Sequence, residues 1–438
     1  MKKLVSTILA CTLIASLAAG CGGAGNSSTD SVSSGASQQS SDNKDNTSTK
    51  KKELTMWGSW SGDQVAQLEQ QLKSYNDSQD KVNVSYVVQN GLEEKVLTAI
   101  AGGELPDVIL WDRYQTTLYA QKGALAPLGD LVSRDNVDMS KFYGPAVEEM
   151  TTQDTLYGIP LLLDARILFY NKDLLSEANI DPNSIKTWDD LEKAAVALTK
   201  RDGGTLAQSG FSLKDQGLFN IWITQAGGKL VTDGTPAKTA FNSEQGLDVL
   251  NFWSKLYNDD KVYELGFEDS FGGNGFKAGK VAITYDGPWS LSDYKAAGIN
   301  FGVMEPPVGP NGDKGAFMGG FGLVMPKNAP NQDEAWDFIK WWTTKPENGV
   351  EFAKISGWIP ANIDSANDSY FTDDANYSVF VKTMGYAGIR PKNLGYSDVE
   401  GLALTPQLQK FMAGEIDAQT ALKTAQEQGD QIFADQKQ

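Results

Sequence analysis

Histidine is missing from all 438 residues. Without an imidazole the chain can build no Ser-His-Asp triad, no Cys-His nucleophile pair and no HExxH zinc site. Cysteine is nearly as scarce. Cys11 and Cys21 are the two, both within the first 21 residues, so the rest of the chain holds neither disulfide nor thiolate chemistry. Basic residues are outnumbered, 38 Lys+Arg against 56 Asp+Glu, for a net charge of −18. That balance argues against nucleic acid, because phosphate binding needs a basic footprint. No EF-hand loop or GxSxG elbow occurs, and the P-loop pattern fails near 273–280, where Asn274 and Val281 stand at positions the motif needs as Gly and Ser/Thr. None of these patterns implies a metal or a cofactor. Adjacent acids such as Asp189-Asp190 and Asp259-Asp260 read as solvated surface, since a glycosidase needs carboxylates facing each other across a site. A secreted glycosidase stays as a remote alternative.

What is present begins with an address. Lys2 and Lys3 precede an apolar run from Leu4 to Gly20, which ends in small residues before Cys21. Residues 1–20 read as a signal peptide. Leu17-Ala18-Ala19-Gly20-Cys21 resembles a bacterial lipobox, with Leu one place upstream of its commonest position, and implies lipidation of Cys21. Residues 22–52 contain nine Ser, no aromatic residue, and Val32 as the sole aliphatic larger than Ala. Such a segment cannot offset its ordering entropy, so 21–52 is expected to be a lipidated Cys and a disordered Ser-rich tether, closed by the solvated charge run Lys50-Lys51-Lys52. Later stretches are too polar to cross a bilayer. The expected location is the extracellular face of a bacterial cytoplasmic membrane, lipid-anchored.

From Glu53 onward, short apolar runs alternate with amphipathic helical segments, the pattern of an α/β protein. Candidate strands are 54–57, 82–88, 107–111, 158–162, 281–285, 300–304 and 321–325. Candidate helices include 62–76, 91–102, 188–201, 243–258, 332–343 and 417–433. Thr187 before Trp188-Asp189-Asp190 has the form of an N-cap. The turn-rich Pro306–Gly312 is expected to cross between lobes.

In open α/β sheets ligands bind beyond the carboxyl ends of the strands. Those ends carry aromatic and charged residues together: Trp60 after the first strand, Trp111-Asp112-Arg113-Tyr114 after the third, then Asp164 and Arg166, then Asp286 and Trp289, with Gly319-Gly320 before the last strand. Flat apolar rings beside carboxylates and guanidinium suit sugars, whose C–H faces stack while hydroxyls bond the charged groups. Trp188, Trp253, Trp336, Trp341 and Trp342 read as core, and Trp57 as facing the sheet. The candidate ligand-binding set is Trp60, Trp111, Asp112, Tyr114, Asp164, Arg166, Phe219, Trp222, Trp289 and Gly320. Placing all eleven tryptophans in the core would bury eleven indole N–H groups that need partners.

Several segments, in this order, resemble the extracellular solute-binding proteins of ABC importers, in particular the family 1, maltose-binding-protein-like sugar binders. They are Gly103–Ile109, Tyr119-Ala120-Gln121, Leu125–Leu128, Tyr157–Pro160, Tyr170–Leu174, Phe276–Ala282, Gly287-Pro288-Trp289 and Gly414-Glu415-Ile416. The resemblance implies a two-lobed periplasmic-binding-protein-like fold of type II, each lobe a mainly parallel sheet flanked by helices, with a hinge between them. It implies lobes of 53–163 plus about 300–343, and 164–299 plus about 344–438. It places a stacking ring at Trp111, a hinge-proximal carboxylate at Asp164 and a second-lobe stacking ring at Trp289. By this resemblance the chain is a monomeric, non-enzymatic receptor that captures an oligosaccharide and hands it to the transmembrane permease. The same fold could instead carry a polyamine or an anion.

Overall fold

The computed structural model describes residues 50–436. The expected signal peptide, Cys21 and most of the tether lie outside the described residues. Lys51 and Lys52, read as the tether's end, belong to the folded body. Lys51 Nζ donates to the carbonyl oxygens of Asn76 and Gln79, and Lys52 opens the first strand and pairs with Glu334. No helix among the described residues is long and apolar enough to cross a membrane.

Two five-stranded sheets organise the body. The first runs Val82–Val88, Lys52–Gly58, Val108–Asp112, Phe321–Val324, Gly158–Pro160 in spatial order. The second runs Phe301–Met304, Ile167–Asn171, Val281–Asp286, Thr205–Phe211, Lys200–Asp202. The α/β architecture with helices on the sheets is the one expected, but the strand directions are mixed rather than mainly parallel. Lys52–Gly58 is parallel to both neighbours and Thr205–Phe211 to Val281–Asp286, while the remaining pairs in both sheets are antiparallel.

Local sequence explains the elements. In Lys52–Gly58 the period-2 alternation sends Leu54 and Met56 inward, each fully buried. The helix Asp63–Asp77 buries Leu68, Gln71, Leu72 and Tyr75, a stripe at helical spacing. Thr187 caps Trp188–Leu198 in a reciprocal capping box with Asp190. Each fully buried Leu, Met or Phe contributes about 1.5–3 kcal/mol relative to exposure.

The chain's allocation to the two sheets departs from the expected lobes. Phe301–Met304 pairs with Ile167–Asn171 and so belongs to the second sheet. The helix Pro346–Ser356 packs beside Asp63–Asp77, with Gln71 Nε2 donating to the Asn348 carbonyl at 3.2 Å and Phe352 stacked near Trp60, so it belongs to the first. The C-terminal helix Ala418–Asp435 returns to the second lobe, where Asp430 accepts from the Thr239 backbone at 2.8 Å. Pro306–Gly312 does not cross. Val308 bridges to Thr187, and Gly309 lies directly on the Gln225 carbonyl, both of the second lobe.

The crossing occurs instead at a three-stranded sheet, Met318–Gly319, Leu162–Ala165 and Ile359–Pro360. Arg113, wholly buried, sits beneath it. Its Nε pairs with Glu149 at 3.0 Å, Nη1 donates to the Leu162 carbonyl at 2.6 Å and Nη2 to that of Gly319 at 2.7 Å. Gly320, at φ +124°, admits the approach: a Cβ there would fall 2.2 Å from the Leu162 oxygen. Replacing Arg113 by Met strands the Glu149 carboxylate. The expected loss is about 3–5 kcal/mol in urea unfolding, and a change below about 1 kcal/mol would show that the pair does not hold the crossing.

Candidate functional site

The ends of both sheets meet at the crossing, and a cleft of about 720 Å³ opens there. From the first lobe come Ser59 and Trp60 beyond Lys52–Gly58, then Asp112 and Tyr114 beyond Val108–Asp112. The crossing segments supply Asp164, Arg166 and Gly320. The second lobe supplies Trp289, three residues past Val281–Asp286. Seven of the ten residues proposed from the sequence thus line one opening.

An aromatic wall joins the two lobes. Trp60 and Trp358 stack at 5.7 Å and 28°, Trp358 meets Trp289 at 4.8 Å, and Phe321 abuts both Trp60 and Trp358 edge-on. Trp60 is only 3% exposed and stacks on both Trp358 and Phe352. It therefore offers the cleft little open ring surface. Trp289 is half-buried and carries the Arg166 guanidinium 4.4 Å above its ring. Its indole folds back over Gly287, where a Cβ would collide with the ring at 2.1 Å. Arg390 lies 5.3 Å over the half-buried Tyr114 ring and is held there by Glu400 at 2.9 Å.

Two carboxylates face this wall. Burial pushes the Asp112 carboxyl up to about 7, helped by the Glu149 charge and opposed by Arg390 and Arg113. Burial raises Asp164 as well, against the pull of Arg166, Arg113 and Arg390. Those guanidinium groups act through space; among the described residues no side chain donates a hydrogen bond to either acid. Gly319 lets Asp164 reach the opening, since a Cβ at 319 would sit 2.8 Å from Asp164 Oδ2. Asp112 and Asp164 are thus acceptors without a protein donor, each desolvated enough to gain from one.

Three expected residues are elsewhere. Trp111 is fully buried against Tyr119, in a cluster with Leu92, Val96 and Ile109. Successive strand residues point to opposite faces, so Ile109 and Trp111 share the helix-covered face while Leu110 and Asp112 share the other. Phe219 and Trp222, one turn apart on Phe219–Gln225, both enter the second-lobe core, where Trp222 packs on Trp188 and Phe219 on Trp253. Their neighbours Leu218 and Asn220 line the cleft. The sequence reading missed Asp215 and Glu400 and left Trp358 and Arg390 unassigned. All four line the cleft from loops or from the π-helical turn Val399–Leu404, with no strand end to mark them.

Residues 56–349 match the family model described as "Bacterial extracellular solute-binding protein". The chain belongs to that family. The maltotriose-binding protein of Pyrococcus abyssi is 24% identical over 350 residues, 78% of this chain and 73% of that protein. The maltodextrin-binding protein MdxE of Bacillus subtilis is 28% identical over 304 residues, 66% of this chain and 69% of that one. Among solved structures, CpMnBP1 with mannotriose bound superposes with a TM-score of 0.76 at 27% identity, covering 86% of this chain and all of that one.

The acid geometry has a pH consequence. The folded-state value of Asp112 lies above the unfolded one of about 3.9, so its contribution to stability is complete below about pH 4 and is lost as the pH rises through about 7. Asp112→Asn is therefore expected to gain stability relative to wild type between about pH 4 and about pH 8, read from urea midpoints. A pH-independent difference would contradict the assignment.

Proposed function

We propose that this protein is the receptor of an ABC importer. It captures a neutral oligosaccharide in the cleft between its lobes and delivers it to a transmembrane permease. One observation carries the reading: Asp112 and Asp164, acceptors without protein donors, face one opening with the half-buried rings of Trp289 and Tyr114. Hydroxyl groups supply the donors and C–H faces supply the stacking surface. The sugars named for the relatives support the same class of ligand. In this reading Asp112, Tyr114, Asp164, Arg166, Trp289 and Gly320 contact the sugar, Trp60 and Trp358 form the floor behind it, and the protein binds without catalysing. Cys21 carries the lipid that holds it, as a monomer, at the extracellular face of the cytoplasmic membrane.

The electrostatics bear on the alternatives. An anion would need free guanidinium groups, yet Arg113 is paired with Glu149, Arg390 with Glu400, and Arg166 faces Asp286 at 3.9 Å. A polyamine is the second reading, favoured by Asp112, Asp164 and Asp215, which line the cleft and have no ion-pair partner among the described residues. Isothermal titration with maltose, maltotriose, mannobiose, mannotriose and spermidine distinguishes them. At least one neutral sugar is expected to bind in the micromolar range, or about −8 kcal/mol, with affinity unchanged within about twofold between low and high salt. Asp164→Asn is expected to weaken it about tenfold or more, as a lost charged hydrogen bond of about 1.5–3 kcal/mol, and Trp289→Ala about tenfold. Silence from every sugar, or binding of spermidine alone, would overturn the proposal.

A further inference from the structure

Beyond Arg166 the cleft continues. A second chamber of about 300 Å³ shares Arg166, Asp215 and Leu218 with the main opening and extends into the second lobe. Its size is at the lower end of ligand pockets, about 300–1,000 Å³. It lies where the second sheet predicts a ligand. Thr205–Phe211 and Val281–Asp286 run parallel, and their carboxyl ends deliver Ser212 and Lys214 on one side and Asp286 on the other.

The two compartments differ in chemistry. The main opening has an indole wall. The chamber's own aromatic residues, Tyr285 and Tyr294, are 7% and 1% exposed and offer no open ring face. Its walls are polar and already fixed. Asp286 accepts from Tyr294 and from the Gly287 backbone at 2.7 Å, the Asn274 amide donates to Tyr294 at 3.3 Å, and Lys214 donates to the Gly273 carbonyl. A preformed polar recess costs little to organise on binding and rewards a hydroxyl-rich group that needs no stacking.

We propose that this chamber holds a further residue of the ligand, so that the carbohydrate extends from the indole wall past Arg166 and Asp215 and ends in a polar, unstacked subsite. The inference rests on the carbohydrate reading above and adds a length requirement to it: a sugar confined to the main opening leaves the chamber unused.

The test is titration of the intact folded protein with the α-1,4-glucose and β-1,4-mannose series from one to five residues. In wild type, one member is expected to bind at least tenfold more tightly than its next shorter neighbour. Thr284→Trp fills the chamber and is expected to reduce that gain to under twofold while the shorter sugar keeps its affinity within twofold. Lys214→Ala removes an exposed side chain together with its hydrogen bond to the Gly273 carbonyl and is expected to cut the same gain at least threefold. Equal weakening of all lengths, or a gain unaffected by either variant, would overturn the chamber as a subsite while leaving the carbohydrate reading in place. A wild-type protein that binds no sugar of any length would overturn both.

Discussion

A guanidinium without solvent persists only where its charge is matched and its donors are used, and Arg113 meets both conditions at the three-stranded sheet where the chain passes between its lobes. Glu149 supplies the charge; the Leu162 and Gly319 carbonyls take the remaining donors. Each partner stands beside a residue of the cleft. Arg113 itself follows Asp112, Leu162 precedes Asp164 by two residues on the same strand face, and Gly319 and Gly320 leave the space into which Asp164 and Arg113 reach. The ion pair is therefore less a store of stability than a spacer. It sets the register in which two acids from different segments open onto a common volume. Glu149 shows what this arrangement costs, for burial raises its carboxyl even with Arg113 alongside.

Around that joint the charges fall into two groups. Arg166 and Arg390 are placed over aromatic rings and opposite acids, so their charge is spent within the protein, on Trp289 with Asp286 and on Tyr114 with Glu400. Asp112 and Asp164 are not spent in this way. The result is an opening with neutral aromatic surface and unfilled acceptors, inside a chain whose net charge of −18 already discourages anions.

Much of this was legible in the sequence, for a definable reason. All seven strands expected from apolar runs exist, and because ligand groups gather at strand ends, Asp112, Asp164, Arg166 and Trp289 could be located from those runs alone. Trp111 escaped because one residue of strand parity separates a core indole from a cleft carboxylate. Nor does a core indole have to find an acceptor: Trp111, Trp253 and Trp342 are buried with none for their N–H among the described residues. Phe219 and Trp222 share a helical stripe, which is a core signature. Ile167–Asn171 and Thr205–Phe211 went unread, the first because it follows Leu162–Ala165 after one residue, the second because Gln208, Ser209 and Gly210 interrupt its apolar pattern. Trp358, Arg390 and Glu400 reach the cleft only through the return of the C-terminal third across both lobes, a tertiary fact without local trace.

The most direct measurement is a crystal structure of the protein grown with a bound oligosaccharide. Such a structure is expected to show sugar hydroxyls within hydrogen-bond distance of both the Asp112 and Asp164 carboxylates, and a pyranose packed against the Trp289 indole. A sugar seated elsewhere, or one in this cleft that leaves both acids untouched, would contradict it.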